Sequence, residues 1–356
     1  MKDWRSPSQK AKARLKDALL ACFARSGRFL PLGRAELETV QTYAVNYLAA
    51  GTGDTALRKQ EQRHLSFREP RPCTETVKDL VYTPHGMAWV AGRLVERYSV
   101  RNPSLKEVLS RPSPENCATL DRAVIVEADV PYTYGDWLLG YLGTALGKRN
   151  AGAPVLLPLF LATKSYVLRD LQLAGISHVV ADRPYRVKEA LVLRKRWPYH
   201  YWSRQQVELF QKIYAPLRRT PAKGSILYIG RFGHSSEVIA RNFPSEEMAT
   251  LVKRLGGMVV RADTLSPQHA ETLADNVETV IADAGSGLLN IMYWKPRNII
   301  ELVVDNWWVN VDLFVADACG VKNFALINID HLSVPQVEAT VLACLDTFGC
   351  RPPLQE

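Results

Sequence analysis

Short runs of consecutive apolar residues, each followed by a helix-length amphipathic stretch, recur in two series along this chain. Alternating strands and helices of this kind favour an α/β fold built on parallel sheet, because parallel strands covered on both faces read as unbroken apolar runs. The first series starts near residue 75. It predicts strands at Ala123–Val126, Pro154–Leu159, Ser177–Ala181 and Glu189–Leu193, with helices at Trp137–Leu146 and Lys164–Leu173. The second predicts strands at Ser225–Ile229, Met258–Arg261, Val280–Ala282, Asn298–Val304 and Phe324–Ile327. Helices are expected between them at Ser245–Leu255 (Ser245 as N-cap), Pro267–Ala274, Ser286–Trp294 and Leu313–Cys319, and a final one at Val334–Phe348. Residues 58–72 are polar and read as a loop or hairpin. The helix Gln205–Leu217 and the polar stretch after it separate the two series. The expected organisation is a basic helical extension over 1–72, a first Rossmann-like domain over 73–217 and a second Rossmann-like domain over 218–356 with a terminal helix. Two facing Rossmann-like domains are the leading architecture.

Length and composition agree with a folded two-domain chain: 356 residues, 47% hydrophobic and 23% charged. No apolar run is long enough to span a membrane, and no apolar leader with a cleavage site follows the basic start. The six cysteines form no Cys-x-x-Cys pair, which points to a reducing, cytoplasmic compartment and no structural metal.

Charge is concentrated. The first thirty residues hold a net +6 of the chain's +9, so the body is near neutral and no nucleic-acid partner is indicated. Ser6, Pro7 and Gln9 fit a capping box at a helix start, and Leu15, Leu19, Cys22 and Phe23 form an apolar stripe opposite the basic face. Residues 1–28 are therefore a surface helix docked on the body, an arm for an anionic membrane surface, or an arm for RNA or another partner.

Several residues could carry chemistry. Asp283-Ala284-Gly285-Ser286-Gly287-Leu288-Leu289-Asn290 lies between a predicted strand and helix. Such a loop can cradle a diphosphate with backbone N–H groups, or be a tight turn and nothing more. Glu301 is expected at the carboxyl end of an apolar strand, where it either accepts ribose hydroxyls or is a solvated acid. Arg231 closes an earlier strand and is either a phosphate ligand or a surface cation. Asp136, at a predicted helix start beside Trp137, is a general base or a helix cap. Residues 194–204 mix cations with Trp197, Tyr199, His200 and other aromatics. They form either an interdomain packing segment or an acceptor surface.

These elements, in this order, resemble glycosyltransferase family 61. That family shows a strand ending in Ser-Arg-Arg, then "LSF..Q", then "HGAGLTN", then "viEL", preceded in its N-terminal half by "NYYHW". The counterparts here are Tyr228-Ile229-Gly230-Arg231, Leu265-Ser266, Gly285-Ser286-Gly287-Leu288-Leu289-Asn290, Ile299-Ile300-Glu301-Leu302, and Thr133-Tyr134-Gly135-Asp136-Trp137-Leu138-Leu139. The similarity spans about residues 120–330. Ala284, Ala270, Asp136 and Phe232 stand where the family has histidine, glutamine, histidine and the second arginine.

The resemblance implies a GT-B-type, inverting glycosyltransferase acting in capsule or surface polysaccharide synthesis. It would use a nucleotide-sugar donor, by family habit UDP-linked, and a glycan or lipid-linked glycan acceptor at the inner membrane face. It places Arg231, Gly285, Ser286, Gly287, Asn290 and Glu301 at the donor; the base expected beside them is Asp136, and the acceptor contacts expected from aromatic side chains are Trp137, Trp197, Tyr199 and His200. No Asp-x-Asp pair occurs, so no metal or other cofactor is expected and a helix start with basic side chains must meet the diphosphate. The alternatives are a polysaccharide pyruvyltransferase or nucleotide-sugar epimerase on the same fold, or a non-catalytic sugar-binding subunit.

Overall fold

The computed structural model describes residues 29–30, 39–50, 61–69, 72–95, 99, 106, 112–127, 134–147, 151–195, 204–214, 225–232, 243–261, 277–304, 311–330 and 332–354. In chain order the strands are β1 (Phe29–Leu30), β2 (Thr39–Ala50), β3 (Glu61–Glu69), β4 (Pro72–Tyr82), β5 (Ala88–Val90), β6 (Arg93–Val95), β7 (Ala118–Val126) and β8 (Val155–Pro158). They continue with β9 (His178–Ala181), β10 (Tyr185–Lys195), β11 (Ile226–Gly230), β12 (Met258–Arg261), β13 (Thr279–Asp283), β14 (Asn298–Val303) and β15 (Asn323–Asn328). The chain is α/β and forms two compact units, each built on one sheet.

The first unit takes the described residues between 70 and 199 together with β1. Its sheet has the order β1-β6-β5-β4-β10-β7-β8-β9. Strands β10, β7, β8 and β9 run parallel, as their apolar runs predict, whereas β4 pairs antiparallel with β10, and β5 and β6 follow as a meander. The sheet is therefore mixed rather than largely parallel. The reason is local. Only Ala91 and Gly92 separate β5 from β6, both with positive φ (46° and 77°). A two-residue turn of that kind joins antiparallel neighbours only. The expected helix Trp137–Leu146 is also irregular. Tyr134–Asp136 and Gly143–Leu146 are single α-turns flanking a π-helical turn, Trp137–Leu142.

The second unit takes β2, β3 and the described residues from 204 onward. Its sheet has the order β12-β11-β13-β14-β15-β2-β3 and is parallel except for β3, which returns antiparallel along β2. The polar stretch 58–72 thus supplies one arm of a hairpin. All residues of β11, β13 and β14 are buried, in keeping with helices on both faces. On one face Ile226, Tyr228, Ile281, Ile300, Leu302 and Ile327 pack into a single cluster with residues of Ser245–Arg254 and Val334–Thr347. Val334–Thr347 starts at a capping box in which Gln336 Oε1 accepts from the Ser333 backbone N–H at 2.8 Å.

Two helical expectations change here. Ser245 is the first residue of its helix rather than the cap, which is Pro244, and its hydroxyl is engaged elsewhere. Ser286–Asn290 is a 3₁₀ turn followed by one α-turn, Ile291–Trp294, rather than one continuous helix. The expected helix Pro267–Ala274 and the amphipathic segment 1–28 lie outside the described residues.

Candidate functional site: a buried carboxylate and a guanidinium at the sheet edge

Parallel pairing brings the carboxyl ends of β11, β12 and β13 to one edge of the second sheet, with Ile229 opposite Ala282 and Gly230 opposite Arg261. Open α/β sheets bind ligands at such an edge. Three groups converge there on the Asp283 carboxylate. The Tyr228 hydroxyl donates to Oδ1 at 2.8 Å, the Ser245 hydroxyl to Oδ2 at 2.7 Å, and the Arg231 backbone N–H to Oδ2 at 2.8 Å. Asp283 is buried. Burial pushes its carboxyl above the ordinary value, against the pull of those three hydrogen bonds and of the Arg231 charge. Burial likewise raises the Tyr228 phenol.

Arg231 follows the last residue of β11, and its side chain lies across Gly285. A Cβ on Gly285 would stand 3.0 Å from Arg231 Cζ, and Gly285 has φ +151°, a conformation that disfavours side chains. The guanidinium is partly buried, and desolvation lowers its pKa while the Asp283 charge raises it. Among the described residues that guanidinium makes no hydrogen bond or ion pair. It is a partly desolvated cation lying against Gly285, with the Asp283 charge nearby.

Gly230 matters for a different reason: a Cβ there would come within 2.6 Å of the Phe232 ring and 2.8 Å of the Tyr228 ring. Those rings meet edge to face at 6.2 Å. Phe232, where the resemblance has a second arginine, is thus a core residue. Arg261 lies over its ring and donates to its carbonyl at 3.1 Å, which brings a second guanidinium to the same edge.

The other donor-site residues divide. Ser286 and Gly287 are partly exposed in the 3₁₀ turn beyond Gly285. Asn290 is buried, and its amide donates to the Gly287 carbonyl at 2.8 Å, so it braces the loop from inside. Glu301 is 1% exposed and stands two residues before the end of β14, opposite Ala282 and Leu326. Strand alternation puts it on the sheet face away from Ile300 and Leu302. The structure therefore groups Arg231 with Gly285 and leaves Glu301 on the other face from Asp283.

In the first unit, Asp136 is half-buried just before the π-turn, and its side chain makes no capping hydrogen bond there. Its charge lies near Tyr166, whose phenol is pushed up to about 12 by burial first, then by Asp170 and Asp136. Trp137, expected on the acceptor side, is instead fully buried: its ring stacks on Tyr141 at 5.1 Å and its indole N–H donates to Asp170 at 3.0 Å. A ring so enclosed has no face left for a sugar. Trp197, Tyr199 and His200 lie outside the described residues.

The sequence reading includes Asp283 and Tyr228 in its motifs and Ser245 as a cap, but gives none of them, nor Arg261, a role at the site. The one available signal was an acid ending the apolar run 279–282. No group of His, Cys, Asp and Glu fit to hold a metal occurs among the described residues, and none of their helices is long and apolar enough to cross a membrane. No protein-family model and no curated protein matches the chain.

Proposed function

We propose that the chain is an inverting glycosyltransferase of the GT-B type, moving a sugar from a nucleoside-diphosphate donor to a glycan acceptor. The observation that carries this reading is the Arg231 guanidinium, held desolvated over the Gly285 loop at the carboxyl edge of a parallel sheet. A cation in that setting suits a diphosphate leaving group. It neutralises the charge that develops as the bond to the sugar breaks, without the carboxylate pair that would place a metal on the diphosphate. The Gly285–Gly287 backbone and Arg261 offer further donors at the same edge.

Inversion needs one base for the attacking acceptor hydroxyl. Asp136 is the candidate: it is half-buried and adjoins a π-turn, a distortion frequent at functional sites. In the step proposed, the acceptor oxygen bonds to the anomeric carbon from the face opposite the diphosphate. Its proton passes to the base, and the carbon–oxygen bond to the diphosphate breaks with the electron pair leaving on oxygen. The basic segment 1–28 would hold the enzyme to anionic lipid on the cytoplasmic side, close to a lipid-linked acceptor.

A thermal-shift screen against nucleoside diphosphates and nucleotide sugars tests the donor site. A ligand present at about 100 times its Kd stabilises by roughly 2.7 kcal/mol. Arg231→Ala should weaken binding by about 1.5–3 kcal/mol, the scale of a lost charge-assisted hydrogen bond. Release of nucleoside diphosphate that depends on an acceptor identifies a transferase. Release of free sugar without acceptor identifies an epimerase, and binding without turnover a sugar-binding subunit. If no nucleotide binds, the reading fails.

A further inference from the structure

We propose that Asp283 is the positioning residue of this anion site: by accepting the Arg231 backbone N–H it sets where the guanidinium stands over Gly285. The inference rests on Arg231 being the group that meets the donor diphosphate.

The geometry is specific. Asp283 ends β13, and its two oxygens receive one donor from β11 (Tyr228), one from the start of the helix Ser245–Arg254, and one from the residue just past β11. The last of these is Arg231 itself, so the carboxylate grips the backbone of the residue whose side chain is left available. Ser245 illustrates the same priority. It opens a helix, where a serine hydroxyl ordinarily caps backbone N–H groups, yet its hydroxyl goes to Asp283 at 2.7 Å. Gly230 and Gly285 complete the arrangement: the first lets the Tyr228 and Phe232 rings close around the turn, and the second leaves room for the guanidinium. Sites of this kind owe their precision to a supporting layer that locks the contacting side chain.

A positioning residue acts through the residue that it positions, and this distinguishes it from a merely structural one. The test measures the Kd of the full chain for inorganic diphosphate and for UDP by calorimetry, with circular dichroism confirming the fold. Asp283→Ala should raise both Kd values about tenfold or more. In an Arg231→Ala background the same change should add less than about twofold, because the group through which Asp283 acts is gone. Asp283→Asn keeps an acceptor for the Arg231 N–H and should restore binding to within about threefold of wild type.

If Asp283→Ala does not fold, Ser245→Ala serves in its place. It removes the donor that shares Oδ2 with the Arg231 N–H and should weaken diphosphate binding about threefold. A folded Asp283→Ala or Ser245→Ala protein with wild-type affinity overturns the proposal. So does an Asp283→Ala effect that persists undiminished without Arg231, or an Asn variant as weak as the Ala variant. Wild-type protein that binds neither probe overturns the donor-site reading itself.

Discussion

The indole N–H of Trp137 donates to the buried carboxylate of Asp170 at 3.0 Å, across the space between the π-turn and the helix Ser165–Leu173. Arg169 reaches the other carboxylate oxygen through Nε at 2.9 Å, so Asp170 lies buried with both oxygens engaged. This bond anchors the residue next to Asp136 and fixes the start of the distorted turn. It also explains why Trp137 is a core residue: a tryptophan can be fully buried when its N–H finds a partner.

Trp137→Phe should therefore lower stability by about 1–3 kcal/mol, since it leaves a buried carboxylate oxygen short of its donor while keeping an aromatic ring. Urea denaturation reads the change as a lower midpoint at constant slope. A midpoint equal to that of wild type would mean that the bond contributes nothing.

For Asp136, the Asn variant is decisive. General-base removal costs about 10²–10⁴ in rate, and Asn is close in size to Asp. Asp136→Asn should keep its melting temperature and its nucleotide affinity while transfer nearly disappears. Near-normal transfer by the folded variant removes Asp136 from catalysis.

Gly285→Ala should cost about 1–3 kcal/mol in stability from the strained φ, and more from the contact with Arg231. The two parts separate in a double-mutant cycle. In an Arg231→Ala background the substitution should cost less, because the guanidinium it displaces is absent. Equal costs in both backgrounds would show that the side chain of Arg231 does not lie against this glycine in solution.

The raised carboxyl of Asp283 has a signature in pH. A carboxyl whose folded pKa exceeds its unfolded value contributes stability that is full below the ordinary value of 3.8 and is lost as pH rises through the raised value. Asn does not titrate. The stability of Asp283→Asn relative to wild type should thus improve as pH climbs from that ordinary value toward neutrality, a trend that thermal melts across this range record. A flat or falling difference would mean that the hydrogen bonds outweigh burial.

What could be read from the sequence follows how much of each strand is covered. β7, β11, β13 and β14 appear as apolar runs because the sheet buries them in their apolar stretches. β4 did not, because Thr74 to Asp79 alternates between half-buried and exposed residues and includes Thr, Glu, Lys and Asp. The turn at Ala91-Gly92 lacks the Asn-Gly or Asp-Gly pair that marks hairpins, so the antiparallel edge passed unseen. At the site, Arg231 and the glycine loop were legible as parts, but their relation was not. Gly285 read as room for a phosphate, and in the structure it first makes room for an arginine. Asp283 was invisible as a hub because an acid ending a strand ordinarily meets water. Only the pairing of β11 with β13 brings Tyr228 and Arg231 to it.

The strand β2 lies parallel to β15, with Leu48, Ala49 and Ala50 opposite Ala325, Leu326 and Ile327. The second unit is thus stitched from two distant stretches of chain. During synthesis the β2–β3 pair must wait, unpaired along one edge, until the much later β15 has been made. Folding of that sheet is therefore completed only after β15 has left the ribosome. A fragment starting at His200 would expose the apolar edge of β15 as a template for self-association.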